Sequence, residues 1–207
     1  MTGEAAGHAK STRRHVVVMG VSGCGKTTVA HGISRGTGMV LAEADDFHSA
    51  ANIAKMRDGR PLDDADRWPW LEALSQWMRR EAAAGASTVI ACSALRRPYR
   101  DVLRSGMDTV DFIHLTGPAD AIRTRMAARE GHFMPSALLA SQLATLEPLE
   151  PDESGVVLDL RKTAEELVAE ALTWLEHGRL DRSADGLPES DPELFAGSFL
   201  GRERRRG

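Results

Sequence analysis

The chain has 207 residues, 42 % of them apolar and 27 % charged, with a net charge of −4 and a pI near 6.0. That is enough apolar matter for one sizeable core, and the acid balance excludes a general affinity for nucleic acid or for membrane surfaces. Any anion site must therefore be built locally.

Residues 1–14 are small, polar and basic. They lack the apolar stretch of a secretory signal and read as a disordered leader. Val16-Val17-Val18-Met19 is among the longest apolar runs, far too short for a bilayer span. It reads as a buried strand feeding a Gly-rich turn, followed by a helix from Lys26 to Ser34. Met39 to Ala42 forms a second predicted strand, ending at Glu43, Asp45 and Asp46. A polar, turn-rich stretch follows, then a helix whose first turn takes Pro69 and which runs to about Ala84.

Thr88 to Cys92 is the third predicted strand, with a helix over Pro98 to Arg104. Val110 to Leu115 is the fourth strand. Helices over Ala119 to Arg129 and Pro135 to Leu146 come next, then a fifth strand over Val156 to Leu160 and a last helix from Ala164 to Glu176. The β-then-α order predicts an α/β fold, a five-stranded parallel sheet with helices on both faces. Residues 178–207 are rich in Gly, Pro, Asp and Arg and read as a disordered tail. The domain expectation is one unit over residues 15–177. Arg202-Glu203-Arg204-Arg205-Arg206 reads as a solvated charged end rather than a nucleic-acid arm. The pair Cys24 and Cys92 is no disulfide framework, and reduced thiols predict a cytoplasmic protein.

Gly20-Val21-Ser22-Gly23-Cys24-Gly25-Lys26-Thr27 fits the P-loop pattern at every fixed position. Glycines let successive amides curl around phosphate oxygens, and the following helix presents its positive end to the same anion. The predicted ATP-binding set is Gly20, Val21, Ser22, Gly23, Cys24, Gly25, Lys26, Thr27 and Thr28. Lys26 would reach the β- and γ-phosphates and the Thr27 hydroxyl would ligate Mg²⁺. Cys24 is expected to be a small loop residue whose backbone does the binding.

A P-loop alone does not say what is done with the nucleotide. Asp45, at the carboxyl end of a strand, is placed to orient or deprotonate an attacking hydroxyl and as a further magnesium anchor. A helix cap is the competing reading for Asp45 and Asp46. Arg125 and Arg129 lie four apart on one helix face before Gly131, which suits a helical lid over about residues 123–140 that closes on the transferring phosphoryl group. A solvated amphipathic helix is the alternative.

These residues resemble the gluconokinases. The phosphate loop is similar to their Met-Gly-Val-Ser-Gly-x-Gly-Lys opening. Asp45, His48, Asn52, Lys55 and Met56 resemble their Asp-x-x-His-x-x-x-Asn-x-x-Lys-Met segment. Pro61-Leu62-Asp63-Asp64-Ala65-Asp66-Arg67 with Pro69-Trp70-Leu71, and Cys92-Ser93-Ala94-Leu95 with Tyr99-Arg100-Asp101, resemble two further and more specific signatures. Arg125 and Arg129-Glu130-Gly131-His132-Phe133 look like the lid. The resemblance covers about residues 15–175 and implies transfer of the ATP γ-phosphoryl group to the terminal hydroxyl of D-gluconate, with Mg²⁺.

Such a substrate asks for Arg partners at its carboxylate, for which Arg67, Arg96 and Arg100 are candidates. It asks for carboxylate or imidazole partners at its hydroxyls, for which Asp45, His48 and His132 are candidates. Trp68 and Trp70 read as helix packing rather than as a sugar platform. Departures from the family pattern are Glu43-Ala44-Asp45 in place of Asp-Gly-Asp, Ser49 in place of Pro, and the Pro-rich Glu147-Pro148-Leu149-Glu150-Pro151. Competing functions are a shikimate-like or nucleotide kinase on the same fold and a non-catalytic nucleotide-binding module. The expected partner is D-gluconate, without nucleic acid or membrane, and the sequence leaves open whether the chain forms a homodimer.

Overall fold

In the computed structural model, residues 13–127 and 136–177 are described. Five strands, β1 (His15–Met19), β2 (Val40–Glu43), β3 (Thr88–Ala91), β4 (Val110–Thr116) and β5 (Gly155–Asp159), form one sheet in the order β2-β3-β1-β4-β5. Every pairing is parallel, with Val17 opposite Ile90 on one side and Phe112 on the other. The expected α/β fold is therefore the one observed.

The period of two in β1 sets up the two faces. Val16 and Val18 enter a core completed by α1 (Lys26–Thr37) and α7 (Ala164–His177), through Val29, Ile33, Leu167 and Ala171. Val17 and Met19 enter the opposite core with Trp70, Leu71, Leu74 and Met78 of α3 (Asp64–Ala83) and Tyr99 and Leu103 of α4 (Arg97–Arg104). Two helices on each face leave β1 wholly buried, which is why it reads as an unbroken apolar run.

Two elements differ from expectation. The stretch expected to be polar turns holds a short 3-10 helix, Ala44–Phe47, and α2 (Ala50–Arg57), capped by the Ser49 side chain. The helix expected to open at Pro69 opens at Asp64 instead, so Pro69 lies inside it. A reciprocal capping box between Asp63 and Asp66 starts it, through Asp66 N to Asp63 at 3.0 Å and Asp63 N to Asp66 at 3.1 Å. Arg14, expected in the leader, belongs to the folded unit: its amide donates to Ser87 at 3.0 Å and its carbonyl accepts from Thr88. The remaining leader residues 1–12 and the tail 178–207 lie outside the described residues, as does much of the expected lid. Its described parts are α5 (Ala119–Ala127) and α6 (Ser136–Thr145).

Candidate active site

The phosphate loop leaves the carboxyl end of the central strand β1 and closes at α1. Gly23 has φ 81°, a left-handed value, and a Cβ there would stand 2.3 Å from Met126 Cγ on α5. Gly25, also left-handed, occupies the cap position of α1 without any side-chain cap, so the first-turn amides stay open to an anion. Cys24 is fully buried beneath the loop in the α1 core, consistent with a backbone role for that position. Lys26 folds back over the loop, its Nζ donating to the Val21 carbonyl at 3.0 Å.

Thr27 donates its hydroxyl to Glu43 Oε2 at 3.2 Å, which brings the last residue of β2 against the first turn of α1. The other oxygen, Glu43 Oε1, is buried without a hydrogen-bond partner, and the His31 ring nitrogen lies 3.9 Å away. Burial pushes the Glu43 carboxyl up from its ordinary range, partly opposed by the Thr27 hydrogen bond. A hydroxyl beside a carboxylate that lacks a cation suits Mg²⁺, which takes few protein ligands and keeps water and phosphate oxygens for the rest.

Asp45 is exposed on the 3-10 helix just beyond β2. Its charge is felt at Glu43, His48 and Cys92, and the Lys26 charge is also felt at Cys92. Asp45 and Lys26 thus share the sheet edge where strands β1, β2 and β3 end. The Cys92 thiol itself is fully buried and pushed up to about 12 by that burial, so it stays protonated.

His48 stacks on Trp70, with ring centroids 4.4 Å apart and planes 15° off parallel, while Trp70 donates its indole N–H to the Ala44 carbonyl at 2.7 Å. Burial holds the His48 imidazole below its ordinary value, so it is neutral near pH 7. Its Nδ1 is buried and unpartnered, a polar handle suited to a hydroxyl.

Arg67 and Arg96 flank the Tyr99 ring, with guanidinium carbons 5.6 and 5.5 Å from its centroid. Asp64 ties them together: it accepts from Tyr99 at 2.5 Å and from Arg96 at 2.8 Å, and Arg67 donates to the Tyr99 hydroxyl at 3.1 Å. Trp68 sits edge-on against Tyr99 and stays 38 % exposed. The two arginines keep partial exposure, so each has donors left for an incoming carboxylate.

Arg100 is different, and the expectation that it binds substrate is corrected here. Its side chain is 0 % exposed and forks onto Glu153, with both N···O distances 2.7 Å. Its remaining donors go to the carbonyls of Ala94, Glu147 and Pro148. Every donor is spent on the fold. One acceptor, Ala94, is the sole non-glycine residue with positive φ among the described residues, at 42°. Arg100 therefore braces the strained turn after β3 that carries Arg96.

Arg125 reaches the loop from α5, donating to the Cys24 carbonyl at 3.4 Å and to the Lys162 carbonyl at 2.6 Å. Arg129 and His132 lie outside the described residues. Sequence reasoning missed Asp64, Tyr99 and Glu43 as parts of the site. It also missed Gln142 of α6, whose Oε1 accepts from the Ser22 amide at 2.7 Å.

A parallel sheet in this order, with a P-loop at the end of its central strand and acids at the end of β2 two strands away, defines a P-loop kinase. Residues 16–149 match the family described as AAA domain. The chain is 49 % identical to a gluconokinase of Gluconobacter oxydans over 68 % of its own length and 79 % of the relative's. A solved gluconokinase of Sinorhizobium meliloti is 40 % identical, with TM-score 0.75, over 84 % of this chain and 99 % of that one. An unliganded sugar kinase of Janibacter sp. is 65 % identical, with TM-score 0.77, over 79 % and 95 %. The chain belongs to the gluconokinase family.

Proposed function

We infer that this protein transfers the γ-phosphoryl group of ATP to the terminal hydroxyl of D-gluconate, giving 6-phospho-D-gluconate and ADP. The observation that carries the reading is a P-loop beside an exposed carboxylate, with two arginines flanking Tyr99, in a chain of the gluconokinase family. A sugar acid suits the groups beside the P-loop: an alcohol for Asp45, a carboxylate for Arg67 and Arg96, and intermediate hydroxyls for His48.

In this mechanism the loop amides and Lys26 hold the β- and γ-phosphates in line with the acceptor. Asp45 orients the terminal hydroxyl and takes up its proton as the new O–P bond forms. Arg67 and Arg96 fix the far end of the acceptor, so that the alcohol rather than water lies next to the phosphoryl group. Neutral His48 donates or accepts a hydrogen bond without adding charge. Arg125, with Arg129 beyond it, supplies positive charge to the phosphoryl oxygens. Thr27 and Glu43 would hold Mg²⁺, which when bound neutralises phosphate charge. Among the described residues no helix is long and apolar enough to cross a membrane, and a cytoplasmic site of action fits a substrate phosphorylated at the expense of ATP.

Replacing Asp45 with Asn tests the assignment. Turnover should fall by about a hundredfold or more, the usual contribution of a positioned base, with ATP affinity unchanged. Unaltered turnover removes Asp45 from the role.

A further inference from the structure

The peptide between Val21 and Ser22 is held from both sides. Its carbonyl accepts from Lys26 Nζ at 3.0 Å, and its N–H donates to Gln142 Oε1 at 2.7 Å. No peptide bond among the described residues is cis. In a planar trans unit the C=O and N–H point in opposite directions, so fixing one fixes the other. We propose that Gln142 is a positioning residue for phosphoryl transfer, locking this peptide so that the Val21 carbonyl aims the Lys26 ammonium at the β- and γ-phosphates.

The anchor is suited to the task. Gln142 comes from α6, 120 residues along the chain, and that helix is itself pinned: Leu139 is 4 % exposed in the α1 core, and Leu143 packs beside it. The α1 side of the loop is held more weakly: its cap position is a glycine without a side chain, and Arg125 reaches the Cys24 carbonyl at 3.4 Å. The loop backbone's own hold on this peptide is one long bond, from the Cys24 amide to the Val21 carbonyl at 3.4 Å, and a flip would point N–H rather than C=O at Lys26. The carboxamide of a core-anchored helix opposes that flip through one half-buried hydrogen bond, which the Ser22 amide supplies.

The inference rests on the reading of Lys26 as a phosphate ligand, and a double-mutant cycle separates the two. Gln142→Met keeps length and packing but removes the acceptor. Binding of a fluorescent ATP analogue to the full chain should weaken about threefold to tenfold, the scale of one neutral hydrogen bond, with KM for gluconate unmoved. In a Lys26→Met background the same change should have less than about a twofold effect, because nothing remains to be aimed. Gln142→Asn withdraws the amide by one methylene and should behave as Gln142→Met does, which serves if the Met variant does not fold. Equal weakening in both backgrounds, or none in either, overturns the proposal. If Lys26→Met leaves ATP binding intact, the reading beneath it fails and takes this one with it.

Discussion

His114 gives the sharpest stability prediction. It sits in the middle of β4, between Met19 and Val157, fully buried, with neither ring nitrogen hydrogen-bonded. Burial, reinforced by the Arg100 charge and opposed by Glu153, lowers its pKa from 6.5 to about 4. The folded protein therefore refuses a proton that the unfolded chain accepts below pH 6.5, and stability drains away as pH falls from 6.5 toward about 4. At about 1.36 kcal/mol per pH unit, the gap is worth about 3 kcal/mol in full, of which about 2.5 kcal/mol is lost by about pH 4.5. His15 and His48 are also lowered by burial and add the same sign, whereas Glu43, raised by burial, works the other way. Salt-bridged Asp64, Asp66, Asp101, Asp152 and Asp159 are held below 3.8 and lose their contribution only at still lower pH. Urea unfolding of wild type and His114→Leu at about pH 7.5 and about pH 4.5 isolates the residue. The variant should lose about 2.5 kcal/mol less between the two pH values. An identical loss in both proteins would refute the reasoning.

Two further substitutions probe the scaffold of the site. Glu153→Gln leaves the Arg100 charge buried without its carboxylate and should cost about 3–5 kcal/mol in thermal or urea unfolding. A raised KM for gluconate at unchanged stability would instead return Arg100 to the substrate site. Asp63→Ala removes half of the capping box on α3 and should cost about 0.5–2 kcal/mol, with no change in m-value.

How far the sequence could be read follows from the range of each signal. The P-loop is local, eight consecutive residues whose chemistry demands their types, and the strand before it is apolar enough to be central. The sheet was legible for the same reason, since β1, β3 and β4 are buried on both faces. α2 was hidden because it buries only Asn52 and so has no apolar stripe, though Ser49 offered a cap signal. The start of α3 was misplaced because Pro69 resembles a first-turn residue, while the Asp63-x-x-Asp66 box upstream of it was the better sign. Arg100 and Arg96 are four apart on one segment, and only Glu153, fifty-three residues later, tells the brace from the ligand. The meeting of Thr27 with Glu43 depends on β2 and β1 both pairing with β3, one on each side, which no local pattern encodes.

The measurement that bears most directly on the whole account is ADP release by the purified chain with MgATP before and after D-gluconate is added. Gluconate-dependent ADP, matched mole for mole by 6-phospho-D-gluconate, is the predicted result. A protein that binds ATP but forms no phosphorylated gluconate would contradict it.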